Sequence, residues 1–214
     1  MSNEIKPVSE DKALQIYNFL NISENDKKKI FDQNYLKLLL KEHKDLDTSY
    51  IVQFLQKAMI LGADPRINQV YLLKHFSSKE GRYVGTVVFN YHFMLNVANQ
   101  TGEYEGVIVE YKTEDVFDPI KKETTKEAVA TAQVRRKGIT SSYTAYWSEC
   151  YNPKNPIWNT RGKSMLQKCA VVGAIRLAFP ESTSGMYIEE EISDNNFNHN
   201  EARAEQVLNK FNEE

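Results

Sequence analysis

The sequence predicts an α+β fold: a mainly antiparallel sheet flanked by helices, with one long buried helix near residues 163–179. Three observations lead there. Apolar residues recur at helical spacing ahead of Gly62, the period falls to two between residues 70 and 149, and a helical run almost free of charge precedes Pro180. Helix, then strands, then helix is the order of segregated α+β architecture, not of alternating parallel units.

Residues 1–10 are polar and read as disordered. Residues 11–42 read as helix in one or two pieces, with Leu14, Ile16, Tyr17, Phe19 and Leu20 on one apolar face and Ile30, Tyr35, Leu36, Leu38, Leu39 and Leu40 on another. The run Lys27–Lys29 reads as a solvated face. A firmer helix spans 48–61, capped by Asp47 or Thr48, whose side-chain oxygen can accept from a first-turn amide. Ile51, Leu55, Ala58 and Met59 form its buried stripe, and Gly62 followed by Pro65 ends it.

Val70–Leu73 and Tyr83–Phe89 read as strands joined by the polar turn Ser77–Gly81. Asn90 caps a short helix over Tyr91–Asn99, and Thr101-Gly102 ends it. Gly106–Lys112 reads as a further strand. Residues 127–137 and 142–149 read as a hairpin about Lys137-Gly138-Ile139-Thr140. In its first arm Ala130, Ala132 and Val134 face one side, while Thr131, Gln133, Arg135 and Lys137 face the other. The helix over 163–179 is capped by Asn159 or Thr160 and stopped by Pro180. Residues 193–214 read as an acidic, asparagine-rich linker with a modest amphipathic helix at 200–212.

Composition bounds the function. No apolar run approaches the ~18 residues that span a bilayer, and the N-terminus has no apolar signal core. The expectation is a cytoplasmic protein with no membrane partner. Cys150 and Cys169 lack paired metal-ligand spacing and fit a reducing compartment. His43, His75, His92 and His199 are scattered, and no phosphate-binding glycine loop, H-E-x-x-H or Ser/His/Asp ordering is present. No cofactor, metal or catalytic residue is expected, and the chain reads as no enzyme.

Charge is the informative feature. Residues 121–180 hold eleven bases against three acids, a net +8 in a chain of formal net charge −2. Such segregation suits an anionic partner. Trp147, Tyr151 and Trp158 lie among these bases, as single-strand binding with base stacking would require. Trp147 fits a core role, and Trp158 fits either core or stacking. Arg135, Arg136 and Lys137 crowd one strand end, where a polyanion would relieve their repulsion. Lys163 falls in a first helical turn, which favours an anion, with Arg161 just upstream and Gly162 between them. Arg176 is the one charge between Cys169 and Phe179 and needs a partner, either a carboxylate of the fold or a nucleic-acid phosphate.

An ordered set of motifs then stands out: D-P-R-I-N-Q-V-Y-L-L from Asp64, T-G-E-Y-E-G-V from Thr101, V-R-R-K-G from Val134, W-S-E-C at 147–150, M-L at 165–166, R-L-A-F at 176–179 and G-M-Y at 185–187. In order and spacing, over roughly residues 48–192, this resembles the phage single-strand annealing proteins of the RecT/Red beta family, nearest to its lambda Red beta branch. The resemblance implies one DNA-binding and annealing domain over residues 11–192. It implies ATP-independent pairing of complementary strands in recombination, by a homo-oligomeric ring or helical filament, in the cytoplasm of a bacterial host. Single-stranded DNA and the annealed duplex would be its partners, joined by a phage exonuclease or a host single-strand binding protein. The family's groove residues fall on Arg136, Lys137, Arg161, Lys163 and Arg176. Lys168 is a sixth candidate, and Arg66, Lys74, Arg135 and Trp158 are possible additional contacts. Two departures stand out. Cys169 occupies the place of a lysine in the Red beta branch, with Lys168 beside it but about 100° round the helix. The Red beta branch also continues into a partner-binding helical module, a function that the resemblance leaves either missing here or reduced to the 200–212 helix.

Two rival readings follow from the residues. A metal-dependent nuclease could use Asp64 with Glu110 and Lys112, since an acid followed by E-x-K on a strand can hold a divalent ion and activate water. A passive single-strand binder would protect DNA without pairing it.

Overall fold

The computed structural model describes residues 33–77, 80–118, 121–153 and 155–191, together with Ile16 and Leu20. The expected disorder at 1–10, nearly all of the helical stretch before residue 33, and the linker and helix of 193–214 lie outside the described residues. The chain divides between Val88 and Phe89 into two compact units. Both carry helices and an antiparallel sheet, so the α+β class holds.

In the first unit, helices α1 (Gln33–Glu42) and α2 (Thr48–Leu61) precede a two-stranded sheet of β1 (Val70–Ser77) and β2 (Arg82–Phe89). Asp47 caps α2 as the sequence requires, its carboxylate accepting from the Ser49 amide at 2.9 Å. Gly62 closes α2 in the left-handed region, where a β-carbon is disfavoured. Burial on α2 is broader than the expected stripe: Tyr50, Val52 and Phe54 are buried with Ile51, Leu55 and Ala58, while Met59 is half-buried. Gly85 interrupts the apolar run of β2 because a β-carbon there would stand 3.1 Å from each of Leu46, Tyr50 and Leu72.

The second unit opens with α3 (Tyr91–Gln100), capped by Asn90, which accepts from the His92 amide at 2.8 Å. A three-stranded antiparallel sheet follows in the order β3 (Tyr104–Asp118), β4 (Glu123–Arg136), β5 (Ile139–Tyr146). Strand β3 runs beyond the expected Lys112, and β4 starts before the expected residue 127. Pairs such as Asp115↔Lys126 and Phe117↔Thr124 extend this ladder past the end of β5. These residues are mostly exposed, so no hydrophobic period marks them, and the backbone ladder alone carries the pairing. The β4–β5 turn is tighter than expected. Lys137 and Gly138 both have positive φ, as a two-residue hairpin turn of right-handed twist requires, and Ile139 and Thr140 belong to β5.

Two further boundaries differ. Residues 147–150, expected to finish the hairpin, form a short helix α4 (Trp147–Cys150). The long helix α5 covers Pro156–Ala178, and its cap is Asn155, which accepts from the Ile157 amide at 3.0 Å, not Asn159 or Thr160. Proline at the first helical position needs no amide partner, so Asn155-Pro156 is the stronger start. The backbone leaves helical geometry at Arg161 (φ −134°, ψ 28°), so the stretch beginning at Gly162 is a second helical segment. A short helix α6 (Pro180–Thr183) and a 3-10 turn (Glu189–Glu191) follow.

Helix α5 lies on one face of the sheet. Ala130, Ala132, Val134 and Ala145 meet Met165, Leu166, Cys169, Ala170, Ala174, Ile175 and Ala178 in one buried cluster. The small residues let helix and sheet approach closely. At Gly173 the ring of Tyr143 occupies the space of a β-carbon, with Cδ1 only 2.3 Å from where that atom would sit.

Candidate nucleic-acid interface

The fold rearranges the charge that the sequence segregates. Acids on either side of the basic block in the chain are brought back onto it. Arg135 pairs with Glu105 at 2.8 Å. Arg136 pairs with Glu103 at 2.6 Å and with Glu181, and it donates to the Ala178 carbonyl at 2.6 Å, with its guanidinium 4.7 Å from the Phe179 ring centroid. It therefore closes the C-terminal end of α5. Lys137 also pairs with Glu103. Lys137 and then Arg136 hold the Glu103 carboxyl below the usual range, and Arg136 does the same for Glu181.

Arg176 has found its carboxylate. Its guanidinium pairs with Glu191, and its Nε donates to the Met186 carbonyl at 3.1 Å. Glu191 in turn accepts from the Ile188 amide at 3.1 Å. Arg176 thus staples the segment 186–191 to the helix. One residue type away from expectation, Cys169 is buried in the cluster, so nothing at that position reaches a ligand on the surface. Lys168, its neighbour, is half-buried and pairs with Glu190 at 2.8 Å.

Arg161 and Lys163 are different. Both are exposed and neither forms an ion pair among the described residues. Lys163 lies over the Tyr111 ring, with Nζ 4.9 Å from the centroid. Lys126 of β4 also forms no ion pair among the described residues. By strand alternation it shares a face with Ala128, Ala130 and Ala132, and so with α5. The sequence reading missed Lys126 because β4, which starts at Glu123, was expected to start at residue 127; the alternation itself is the signal that places it.

Beside Arg161, Trp147 stacks on Tyr151 (5.0 Å, 15°), and the edge of Trp158 meets both rings. Trp158 is 1% exposed, which assigns it to the core. In the first unit, Lys74 pairs with Asp45 at 3.1 Å and Arg66 with Asp64 at 2.7 Å. Arg66 holds Asp64 below the usual carboxylate range, and Asp64 also accepts from the Arg66 amide. Lys112 pairs with Glu114. Among the described residues no group of three or more His, Cys, Asp or Glu is placed to hold a metal ion, and no helix is long and apolar enough to cross a membrane.

Exposed cations at the start of the second segment of α5, whose following turns are largely buried, suit an anionic chain lying across that end. The chain belongs to the RecT family, whose profile matches residues 29–205. Proteins of this family bind single-stranded DNA and anneal it in recombination. No individually curated protein matches the chain.

Proposed function

We propose that this protein pairs complementary DNA strands without ATP, and that the strand first engages the break within α5, at Arg161 and Lys163, with Lys126 on the α5-facing side of β4 as a further contact. The observation that carries this is the contrast in charge pairing: Arg161 and Lys163 are exposed and unpaired among the described residues, whereas Arg135, Arg136, Lys137, Lys168 and Arg176 hold acids of the protein itself. Neutralising phosphates releases counterions and lowers the repulsion between two strands. Holding backbone in preference to base edges leaves the bases to choose their partner. The paired cations join only by exchanging a carboxylate for a phosphate, so they contribute less.

Few nucleotides fit one copy, so affinity comes from many copies on one strand, as a homo-oligomeric ring or filament with the span 11–192 acting as one annealing module. The annealed pair is held more tightly than a lone strand because both strands supply contacts. The site calls for no cofactor turnover. Its setting is the bacterial cytoplasm, with the lambda Red beta branch as kin and a phage exonuclease or host single-strand binding protein as candidate partner. The test mixes two complementary labelled strands with the protein and no ATP. Pairing faster than in buffer, and slowed at least tenfold by Arg161→Ala/Lys163→Ala at unchanged melting temperature, is the expected result. Pairing no faster than in buffer would leave only passive binding.

A further inference from the structure

Gly162 separates the two unpaired cations, and a tryptophan ring fills the space its side chain would take. A β-carbon at Gly162 would stand 2.4 Å from Cη2 and 2.7 Å from Cζ3 of Trp147. That ring is held on other sides by the Tyr151 stack and by the edge of buried Trp158. The Tyr151 hydroxyl donates to Asn159 Oδ1 at 3.0 Å, which ties the aromatic group to the helical segment ahead of the break. The break itself falls at Arg161, next to the glycine.

The break matters for charge. In an unbroken helix, side chains two positions apart point about 200° from one another and cannot grip one strand together. Non-helical geometry at Arg161 releases its side chain from that phase, while Lys163 keeps the phase of the following segment, over Tyr111.

We propose that Trp147 is a positioning residue for single-stranded DNA: its ring, wedged against Gly162, maintains the break at Arg161 so that Arg161 and Lys163 act on one phosphate chain. Trp147 need not touch DNA; it acts through the two cations. This rests on the reading above that those cations hold phosphate.

The experiment measures binding of an oligothymidylate by fluorescence anisotropy across a salt series, with a thermal melt of each variant. Arg161→Ala is expected to lower the slope of log affinity against log salt by about 0.7, the loss of one phosphate on a single strand. Trp147→Leu is expected to lower the slope equally and to weaken binding roughly three- to tenfold at fixed salt. The double variant Trp147→Leu/Arg161→Ala should bind no more weakly than the weaker single one, and Trp147→Phe, which keeps a ring in the notch, should keep the wild-type slope. A merely structural role would lower the melting temperature without moving the slope of the folded fraction. Should Trp147→Leu not fold, Gly162→Ala serves instead, since its methyl group displaces the ring, and the same fall in slope is expected. A wild-type slope in Trp147→Leu or Gly162→Ala, or additive losses in the double variant, overturns the proposal while the phosphate-binding reading stands. A wild-type slope in both Arg161→Ala and Lys163→Ala overturns the two together.

Discussion

Replacing Arg176 with alanine separates the two roles that its position in the sequence leaves open. Its side chain is 28% exposed and that of Glu191 19%, so the pair is partly shielded from solvent. The substitution removes the ion pair and the hydrogen bonds to the Met186 carbonyl, and leaves Glu191 without its guanidinium partner while the Ile188 amide still donates to it. Breaking a fully buried pair costs about 3–5 kcal/mol. With about a quarter of the surface still wet, a cost of about 2–3 kcal/mol is reasonable. For a chain of this size that is a fall in melting temperature of about 4–12 °C. The assay is thermal unfolding by circular dichroism on Arg176→Ala, Glu191→Ala and the double variant. Coupling between the two singles should exceed about 1 kcal/mol, since the residues share one network. A melting temperature within a degree of wild type, combined with weakened DNA binding, would refute the reasoning: Arg176 would then be facing phosphate and not stapling residues 186–191.

Further outcomes follow from the same contacts. Gly173→Ala forces a methyl group into the Tyr143 ring and should cost about 1–3 kcal/mol by overpacking, and Tyr143→Leu in the same chain should recover part of it in a thermal melt. Asp47→Ala removes the cap of α2 and should cost about 1 kcal/mol in denaturant unfolding. Glu103 and Glu181 have folded pKa values depressed by Lys137 and Arg136. Their contribution to stability is therefore complete above the ordinary glutamate value, about 4.3, and is lost as pH falls below it. Melting curves from pH 7 to pH 3 should show that loss, and it should shrink in Arg136→Ala. Cys150 is half-buried and Cys169 buried; the neighbouring Cys169 draws the Cys150 thiol down, while Cys150 and burial push the Cys169 thiol up. Mass-mapped alkylation of the native protein should therefore label Cys150 well before Cys169.

How much of this was legible in the sequence depends on whether local chemistry or distant partners decide each feature. Asp47, Gly62 and Asn90 act on amides and φ angles within two or three residues of themselves, so the elements they bound were readable. The face of β4 bearing Ala130, Ala132 and Val134 was readable because alternation needs no knowledge of what covers it. The extension of β3 and β4 was not, because its exposed residues carry no hydrophobic period. Nor was the start of α5, where Asn155-Pro156 competed with two other capping residues, nor the break at Arg161, beside which Gly162 meets Trp147, fifteen residues away in the chain. At the candidate site the bases were found by counting, but counting along the chain missed the neutralisation. Glu103, Glu105, Glu181, Glu190 and Glu191 lie outside the basic block in sequence and against it in space. Lys126 escaped for a smaller reason, a strand boundary misplaced by a few residues.

The central claim is that phosphate is held at the break within α5 by Arg161 and Lys163, while Arg176 stays with its own carboxylate. A structure of the protein on two complementary oligonucleotides added in sequence tests it most directly. The account predicts phosphate oxygens at charge-assisted hydrogen-bond distance, about 2.7–2.9 Å, from Arg161 and Lys163, with Glu191 still bound to Arg176. Phosphates seated on Arg176 and Lys168 in place of Glu191 and Glu190, with Arg161 and Lys163 turned to solvent, would contradict it.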